Sequence, residues 1–331
     1  MRPLARKLVL ASTAVACLTF PGCQYRSTKD VYYLVATNLK VPYWKTLQQG
    51  FNDAASQYGV TARIVGPEGH DAGAEQGALS DAVDAHPAGI LVSAADATAL
   101  QGDIARAISA GIPVITVDSD APNSQRLYFI GTNNLEAGHI GGKRLVEQLH
   151  GKGNVVFYSI PGQPNLDERL KGYEDMIATS SGGIRIASVI STGGESNAAF
   201  DQTEQLIKQT GAQKIDAFVC LESAPGAAVG EVLKRNNIKD RVLIAMDVDP
   251  DTLQLISDGV IDSTVSQKPY TMGYIGLKAL DEIHHAHFRQ LRSDYTNDFR
   301  SPFPVFVDTG SALITKDNMS LYTHPNVDSN P

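Results

Sequence analysis

Cysteine, tryptophan, basic charge and long apolar runs are all scarce in this chain. Three cysteines occur in 331 residues, at Cys17, Cys23 and Cys220. Cys17 falls in the leader and Cys23 reads as a lipid site, so only Cys220 remains in the mature body and an internal disulfide is excluded. A chain of this length has core enough to do without one. Cys220 lies in the apolar stretch 217–221, where a small buried residue is expected. The apolar run Leu8–Phe20 is too short to cross a bilayer. Net charge is −8, and without a basic field nucleic acid is excluded as the main partner.

Chemical motifs are scarce too. No G-x-S-x-G elbow and no helix-turn-helix pattern is found. The stretch GHIGGK at Gly138–Lys143 lacks the spacing and the Ser/Thr of a phosphate loop, so its glycines are expected to allow close helix packing. Asp247-x-Asp249-x-Asp251 begins like a calcium loop but has Thr252 in place of glycine and Asp258 in place of glutamate. His284-His285-x-His287 has metal-binding residue types, yet imidazoles also suit the carboxyl end of a helix. The carboxylates show no defined pair at hydrolase spacing. No catalytic residue, metal or cofactor is assigned.

The first residues make a leader. Arg2, Arg6 and Lys7 precede Leu8–Phe20, which ends at Pro21-Gly22-Cys23. These are the charged, apolar and cleavage regions of a secretory signal peptide over residues 1–22. A cysteine after a small residue at that point resembles a bacterial lipobox, with Phe20 and Pro21 where leucine and a small residue are usual. The reading is a lipid-bearing Cys23 on a polar tether, 23–30, with plain secretion as the other outcome. An exported protein held at the periplasmic face of a membrane is expected.

The body alternates regularly. Apolar runs of strand length begin at Val31, Thr61, Gly89, Val114 and Leu127, separated by helical patterns such as Leu47, Phe51, Ala54/Ala55 and Tyr58. The alternation restarts after Thr132-Asn133 and runs through strands near 154–159, 184–190, 217–221, 242–246 and 261–265. Alternation of this length predicts an α/β fold with two doubly wound, Rossmann-like lobes of parallel sheet.

Ligands bind such sheets at the carboxyl ends of the strands. There the first half places Lys40, Tyr43, Trp44, Ser93, Asp118 and Ser119. The second half places Asn165, Arg169, Glu222 and Asp247, and the segment crossing back carries Gln267. Pro42 fits the first turn of a helix, which puts Tyr43 and Trp44 beside strand one. Their rings would stack on a sugar face or pack the helix onto the sheet. Asp96, Asp249 and Ser196 read as helix caps, and Asp120 as turn chemistry. Arg169, in a helix's first turn, is unfavourable to the dipole and is expected to have a specific task or a salt bridge with Glu168 or Asp167. Mixed carboxylates, a guanidinium and aromatic faces suit a hydroxyl-rich ligand.

Five segments carry a family resemblance: KVPYW at 40–44, AGIPVITVDSD at 110–120, IGTNNLEAGHIGGKRL at 130–145, NLDERLKGY at 165–173, and IAMDVDPDTLQLISDGVIDSTVSQKPYTMGYIG at 244–276. With them the chain resembles the periplasmic sugar-binding proteins of ABC transporters, of the ribose-binding type, over about 31–315. The resemblance implies a periplasmic binding protein type I fold. It implies an N-terminal lobe of 31–132 plus 267–306 and a C-terminal lobe of 133–266 plus 307–331. A three-strand hinge near Thr132-Asn133, Ser266-Gln267 and Phe306–Asp308 would let the lobes close on a ligand. It places the ligand residues at Tyr43, Trp44, Ser93, Asp118, Ser119, Arg169, Glu222, Asp247 and Gln267, and the strand-end position of Asn165 adds that residue to them. Ser119, Asp167 and Glu222 depart from the ribose binders' arginines and asparagine, which puts ribose itself in doubt. The implied function is capture of a sugar or polyol, by a monomer, for ABC permease subunits. A sensing receptor for a chemoreceptor or histidine kinase is the alternative.

Overall fold

The computed structural model describes residues 26–286, 288, 291 and 298–323. The leader, Cys23 and His287 lie outside the described residues. Two six-stranded sheets form the body. The first is built from β1 (Val31–Val35), β2 (Thr61–Val65), β3 (Gly89–Val92), β4 (Val114–Val117), β5 (Phe129–Gly131) and β11 (Phe306–Asp308). The second is built from β6 (Gly153–Ser159), β7 (Ile184–Ser191), β8 (Ala217–Cys220), β9 (Val242–Met246), β10 (Ser263–Ser266) and β12 (Ala312–Thr315).

Their orders are β11-β5-β4-β3-β1-β2 and β12-β10-β9-β8-β6-β7. Counted within each lobe the two orders are identical. The late strands differ: β11 joins β5 in parallel, whereas β12 joins β10 antiparallel. Helices α1 (Pro42–Tyr58), α2 (Ala72–Asp84), α3 (Gln101–Ser109) and α9 (Pro269–His285) cover the first sheet. Helices α4 (Asn134–Gln148), α5 (Pro164–Ala178), α6 (Ser196–Leu206), α7 (Ala224–Arg235) and α8 (Pro250–Ser257) belong to the second, and a short α10 (Ser320–Thr323) follows β12.

Burial on both faces explains the strands' unbroken apolar runs. On β6, Val155 and Phe157 pack into one core while Val156 and Tyr158 pack into another. That is the two-residue period of a strand with both faces covered. Glycine sets how closely the helices approach. A β-carbon on Gly138 of α4 would lie 2.1 Å from the Arg169 carbonyl oxygen, and one on Gly141 would lie 1.9 Å from the Tyr173 hydroxyl. The GHIGGK glycines therefore serve packing, as expected. Across the first lobe, Gly50 of α1 and Gly273 of α9 meet the backbones of Tyr270 and Leu47 at similar distances, 2.0 and 2.1 Å.

Three chain crossings join the lobes. They run from β5 to α4, from β10 to α9, and from β11 to β12. The Thr132 hydroxyl donates to Gln267 Oε1 at 2.7 Å, and Thr309 N donates to the Gly131 carbonyl at 2.8 Å. Phe306–Asp308 pairs with β5, so the first lobe keeps Val307 and Asp308. The implied lobe boundary at 306/307 falls two residues early. Helix α3 begins at Gln101 rather than near 97, because Asp96 Oδ1 instead accepts from Thr98 N and Ala99 N in a preceding turn.

Candidate functional site

Both fourth strands end in an aspartate in the left-handed region, Asp118 at φ 64° and Asp247 at φ 68°. Aspartate tolerates that conformation better than most residues. It ends each strand sharply and points each carboxylate into the gap between the lobes. Backbone ladder bonds hold both turns: Asp118 N donates to Ile130 O at 3.1 Å, and Asp247 N to Val265 O at 2.9 Å.

On the first lobe, Pro42 opens α1 and places Tyr43 and Trp44 behind it. Both rings are buried, at 7% and 4% exposure, and meet edge to face at 5.7 Å. The Tyr43 hydroxyl donates to Asp118 Oδ1 at 2.6 Å. Ser93 Oγ reaches Asp118 Oδ2 at 3.4 Å from behind.

On the second lobe, α5 carries Asn165 and Arg169. Arg169 is the sixth residue of α5, past the first turn, and is buried. Its guanidinium donates to Asn134 Oδ1 at 2.7 Å from Nη2, to the Leu221 carbonyl at 2.5 Å from Nη1, and to Gln267 Oε1 at 3.3 Å from Nη2. The expected salt bridge to Glu168 or Asp167 is not formed. Instead, neutral acceptors orient the charge inward, because the side chain leaves α5 on its buried face. Gln267 Nε2 donates to Asp247 Oδ1 at 3.0 Å. Glu222 accepts from the Thr192 hydroxyl.

The lobes are closed on one another. Asn165 Nδ2 reaches across to Asp118 Oδ2 at 3.4 Å. At the mouth, a β-carbon on Gly194 would lie 2.8 Å from the His70 β-carbon. The cavity between them has about 520 Å³ of space free of atoms, its open mouth included.

Eight of the expected residues line this cavity: Tyr43, Trp44, Asp118, Asn165, Arg169, Glu222, Asp247 and Gln267. Two do not. Ser93 stands behind Asp118, and Ser119 is fully buried with no hydrogen-bond partner on its hydroxyl. The positive φ at Asp118 turns the chain there, so the residues flanking it face the lobe interior. Lys40 pairs with Glu68 on the surface instead. Thr37, Asn38, His70, Gln163 and Ser223 line the cavity and were not expected. Gln163 is the most informative of these: its Nε2 donates to Asn165 Oδ1 at 3.0 Å, while its buried Oε1 has no partner. Buried polar atoms are normally satisfied, so a lone acceptor in a cavity points to a donor from a ligand. The sequence signal was its place immediately before Pro164 and α5.

Burial dominates the electrostatics. It pushes Asp247 up to about 7, against the pull of Arg169 and of the Gln267 bond. It also raises Asp118, where the Tyr43 bond, Arg169 and the Ser93 bond oppose it. Glu222 is raised in the same way, with Thr192 and Arg169 opposing. Three acceptor-rich carboxylates thus surround a single guanidinium, and a ligand bringing several hydroxyl donors relieves that burial cost. No cluster of His, Cys, Asp or Glu among the described residues is arranged to hold a metal ion.

A family described as periplasmic binding protein domain matches residues 32–285. Among curated relatives, the xylose/arabinose-binding protein XylF of Sulfolobus acidocaldarius is 25% identical over 305 residues, covering 87% of this chain and 71% of that one. Among solved structures, a sugar-binding protein of a sugar ABC transporter from Bacillus halodurans is 30% identical at a TM-score of 0.74, covering 88% of this chain and 99% of that one. An ABC transporter solute-binding protein from Burkholderia graminis, in complex with D-arabinose, is 27% identical at a TM-score of 0.80, covering 90% and 99%.

Proposed function

This chain belongs to the periplasmic binding protein domain family, and we propose that it captures a monosaccharide of the pentose class between its lobes and delivers it to the membrane subunits of an ABC importer. It carries out no reaction on the sugar. The observation that supports this best is the closed cavity, in which Asp118 and Asp247 stand opposed, one from each lobe, beside Trp44 and Arg169. Each carboxylate accepts from vicinal hydroxyls, Arg169 donates to a ring or hydroxyl oxygen, and the Trp44 face covers a C–H face of the sugar. Tyr43, already committed to Asp118, orients that carboxylate, which leaves stacking to Trp44. Gln163 adds a buried, unpartnered acceptor beside Asn165.

A leader over residues 1–22 followed by Cys23 supports an exported protein, lipid-anchored at the periplasmic side of a membrane. Its labelling with palmitate should disappear in Cys23→Ala.

The test of the site is a thermal-shift screen over pentoses, hexoses and polyols, followed by titration of the best sugar. A bound ligand raises the melting temperature by mass action. Trp44 is the only tryptophan, so its emission should change on binding. Trp44→Ala should weaken binding by about 1–2 kcal/mol through lost stacking area. Unchanged affinity in Trp44→Ala together with unchanged emission in the native chain would remove the indole from the site.

A further inference from the structure

The two poles of the molecule, far from the cavity, treat their cations differently. At the amino ends of the second sheet's strands, the basic groups share one pocket with Asp216, Asp240, Asp262 and Asp317, and several of them are paired. Arg144 forks onto Asp262 at 2.7 Å, Lys214 reaches Asp240 at 3.1 Å, and Arg241 reaches Asp240 at 2.5 Å. At the amino ends of the first sheet's strands, Lys29, Arg63 and His86 line one surface pocket with Tyr33. All three are exposed. No carboxylate lines that pocket, and among the described residues no ion pair is formed by Lys29, Arg63 or His86. The pocket has about 530 Å³ of atom-free space, its open side included.

The tether runs along the same pole. Arg26 Nε binds the fully buried Asp281 at 2.6 Å, and its guanidinium stacks on Tyr58 at 4.3 Å. Thr61 Oγ1 then donates to the Thr28 carbonyl at 2.8 Å, and Thr61 N donates to the Asp30 carbonyl at 2.9 Å. Arg26 is thus held to the body only three positions after Cys23. A chain segment that short spans about 10 Å at most, within a Debye length of a membrane surface.

We propose that Lys29, Arg63 and His86 form a docking pocket for the phosphate of an anionic lipid headgroup, which fixes how the first lobe stands on the membrane. The proposal rests on the lipid-anchored reading of Cys23 for its setting and on the unpaired pocket for its chemistry. The full chain carries a net charge of −8, and Arg2, Arg6 and Lys7 of the leader are among its basic residues, so the body is more acidic still and is repelled by an anionic surface on most of its faces. The carboxylate-free pocket is drawn to such a surface, so anchor and pocket together select one orientation. The first lobe is then the fixed one, and the second lobe is the one that moves as the cavity opens.

The experiment uses the full mature chain carrying Cys23→Ala, so that a missing acyl group cannot imitate a missing pocket. Sedimentation with vesicles of phosphatidylglycerol and phosphatidylcholine at low salt should capture the protein, and vesicles of phosphatidylcholine alone should not. Lys29→Glu with Arg63→Glu should weaken capture about tenfold or more, at roughly one kcal/mol per basic side chain near such a surface. Sugar affinity, read on the same samples, should be unchanged, which shows that both variants are folded. Lys152→Glu with Lys239→Glu at the opposite pole should leave capture intact. Equal loss in both double variants, capture indifferent to Lys29 and Arg63, or no capture by anionic vesicles would each overturn the proposal. Capture that is competed away fully by millimolar inorganic phosphate, with no preference among vesicles, would reassign the pocket to a soluble anion and overturn the membrane role.

Discussion

The two lobes share a strand order and a strand-end aspartate, yet they equip the cavity differently. The first lobe supplies surface: the indole of Trp44, the edge of Tyr43, and a carboxylate at Asp118 held by a tyrosine hydroxyl at 2.6 Å. The second lobe supplies charge and amides: Arg169, Asn165, Gln163 and a carboxylate at Asp247 held by one amide at 3.0 Å. The equivalent carboxylates consequently differ in ease of ionisation, with Asp247 pushed up to about 7 by burial. Asp118, with more donors, is raised too, against the Tyr43 bond, Arg169 and the Ser93 bond. A shared backbone fixes where acceptors stand, and the neighbours decide how readily each accepts.

The sharpest contrast is between the two truncations. Asp118→Ala releases Tyr43 and removes the partner that Asn165 reaches across the gap, so we expect a loss of about 3–4 kcal/mol in sugar binding. Asp247→Ala frees a single amide and should cost about 2–3 kcal/mol. Titration calorimetry with the sugar that the screen returns reads both. Equal losses would show that the neighbours do not matter, and the reverse order would place the sugar chiefly on the second lobe.

A smaller effect separates the lobes by pH. Glu75 of α2 is fully buried, with Oε2 accepting from Ala95 N at 2.9 Å and Oε1 unpartnered. Burial raises it to about 8, with the Ala95 N–H opposing and Asp118 and Asp96 adding to the rise. A carboxyl whose folded-state value is raised holds its proton in the folded chain after the unfolded chain has released it. Its stabilising contribution is complete below about 4 and is lost as pH rises through the folded-state value. The sugar-free protein should therefore melt about 5 °C lower at pH 8 than at pH 5. Glu75→Gln should flatten part of this slope with or without sugar. Asp247→Asn should flatten part of what bound sugar suppresses in the native chain, since Asp247, unlike Glu75, lines the cavity. A slope in the native chain that sugar leaves untouched would contradict that division.

The smallest effect concerns Ser119. Its hydroxyl is buried, makes no hydrogen bond and does not face the cavity. Ser119→Ala should change affinity by less than about 0.5 kcal/mol, and a loss above 1 kcal/mol would return it to the site.

Much of this was legible in the chain before folding. Periodicity and strand-end polarity located both sheets and eight of the cavity residues, because strand ends in such sheets share one edge. What escaped depends on backbone direction and on contacts remote in sequence. Ser93 and Ser119 looked like site residues by position alone, but Ser93 Oγ stands against Asp118 Oδ2, and Ser119, just past the left-handed turn at Asp118, is buried off the cavity. Arg169 looked like a misplaced first-turn cation, and its real partners, Asn134 and the Leu221 carbonyl, are 35 and 52 positions away. Asn134 opens α4 beside the crossing, and nothing local to it marks it as the seat of a guanidinium. The antiparallel closing strand β12 is likewise a matter of topology that no local pattern encodes.

The paired left-handed aspartates also restrict how this cavity can drift. Few side chains sit comfortably at φ 64° and 68°; asparagine and glycine are the readiest replacements, and β-branched residues are strongly disfavoured. At these two positions the accessible alphabet is nearly three letters long, running from carboxylate to amide to nothing. New sugar preferences can then trade an acceptor for a mixed donor and acceptor there, or open a gap, but cannot install a bulky or cationic group. Change of specificity is channelled to residues with ordinary backbone, such as Gln163, Asn165 and Glu222, while the two strand ends stay as fixed points of reference for whatever polyhydroxylated molecule the cavity comes to hold.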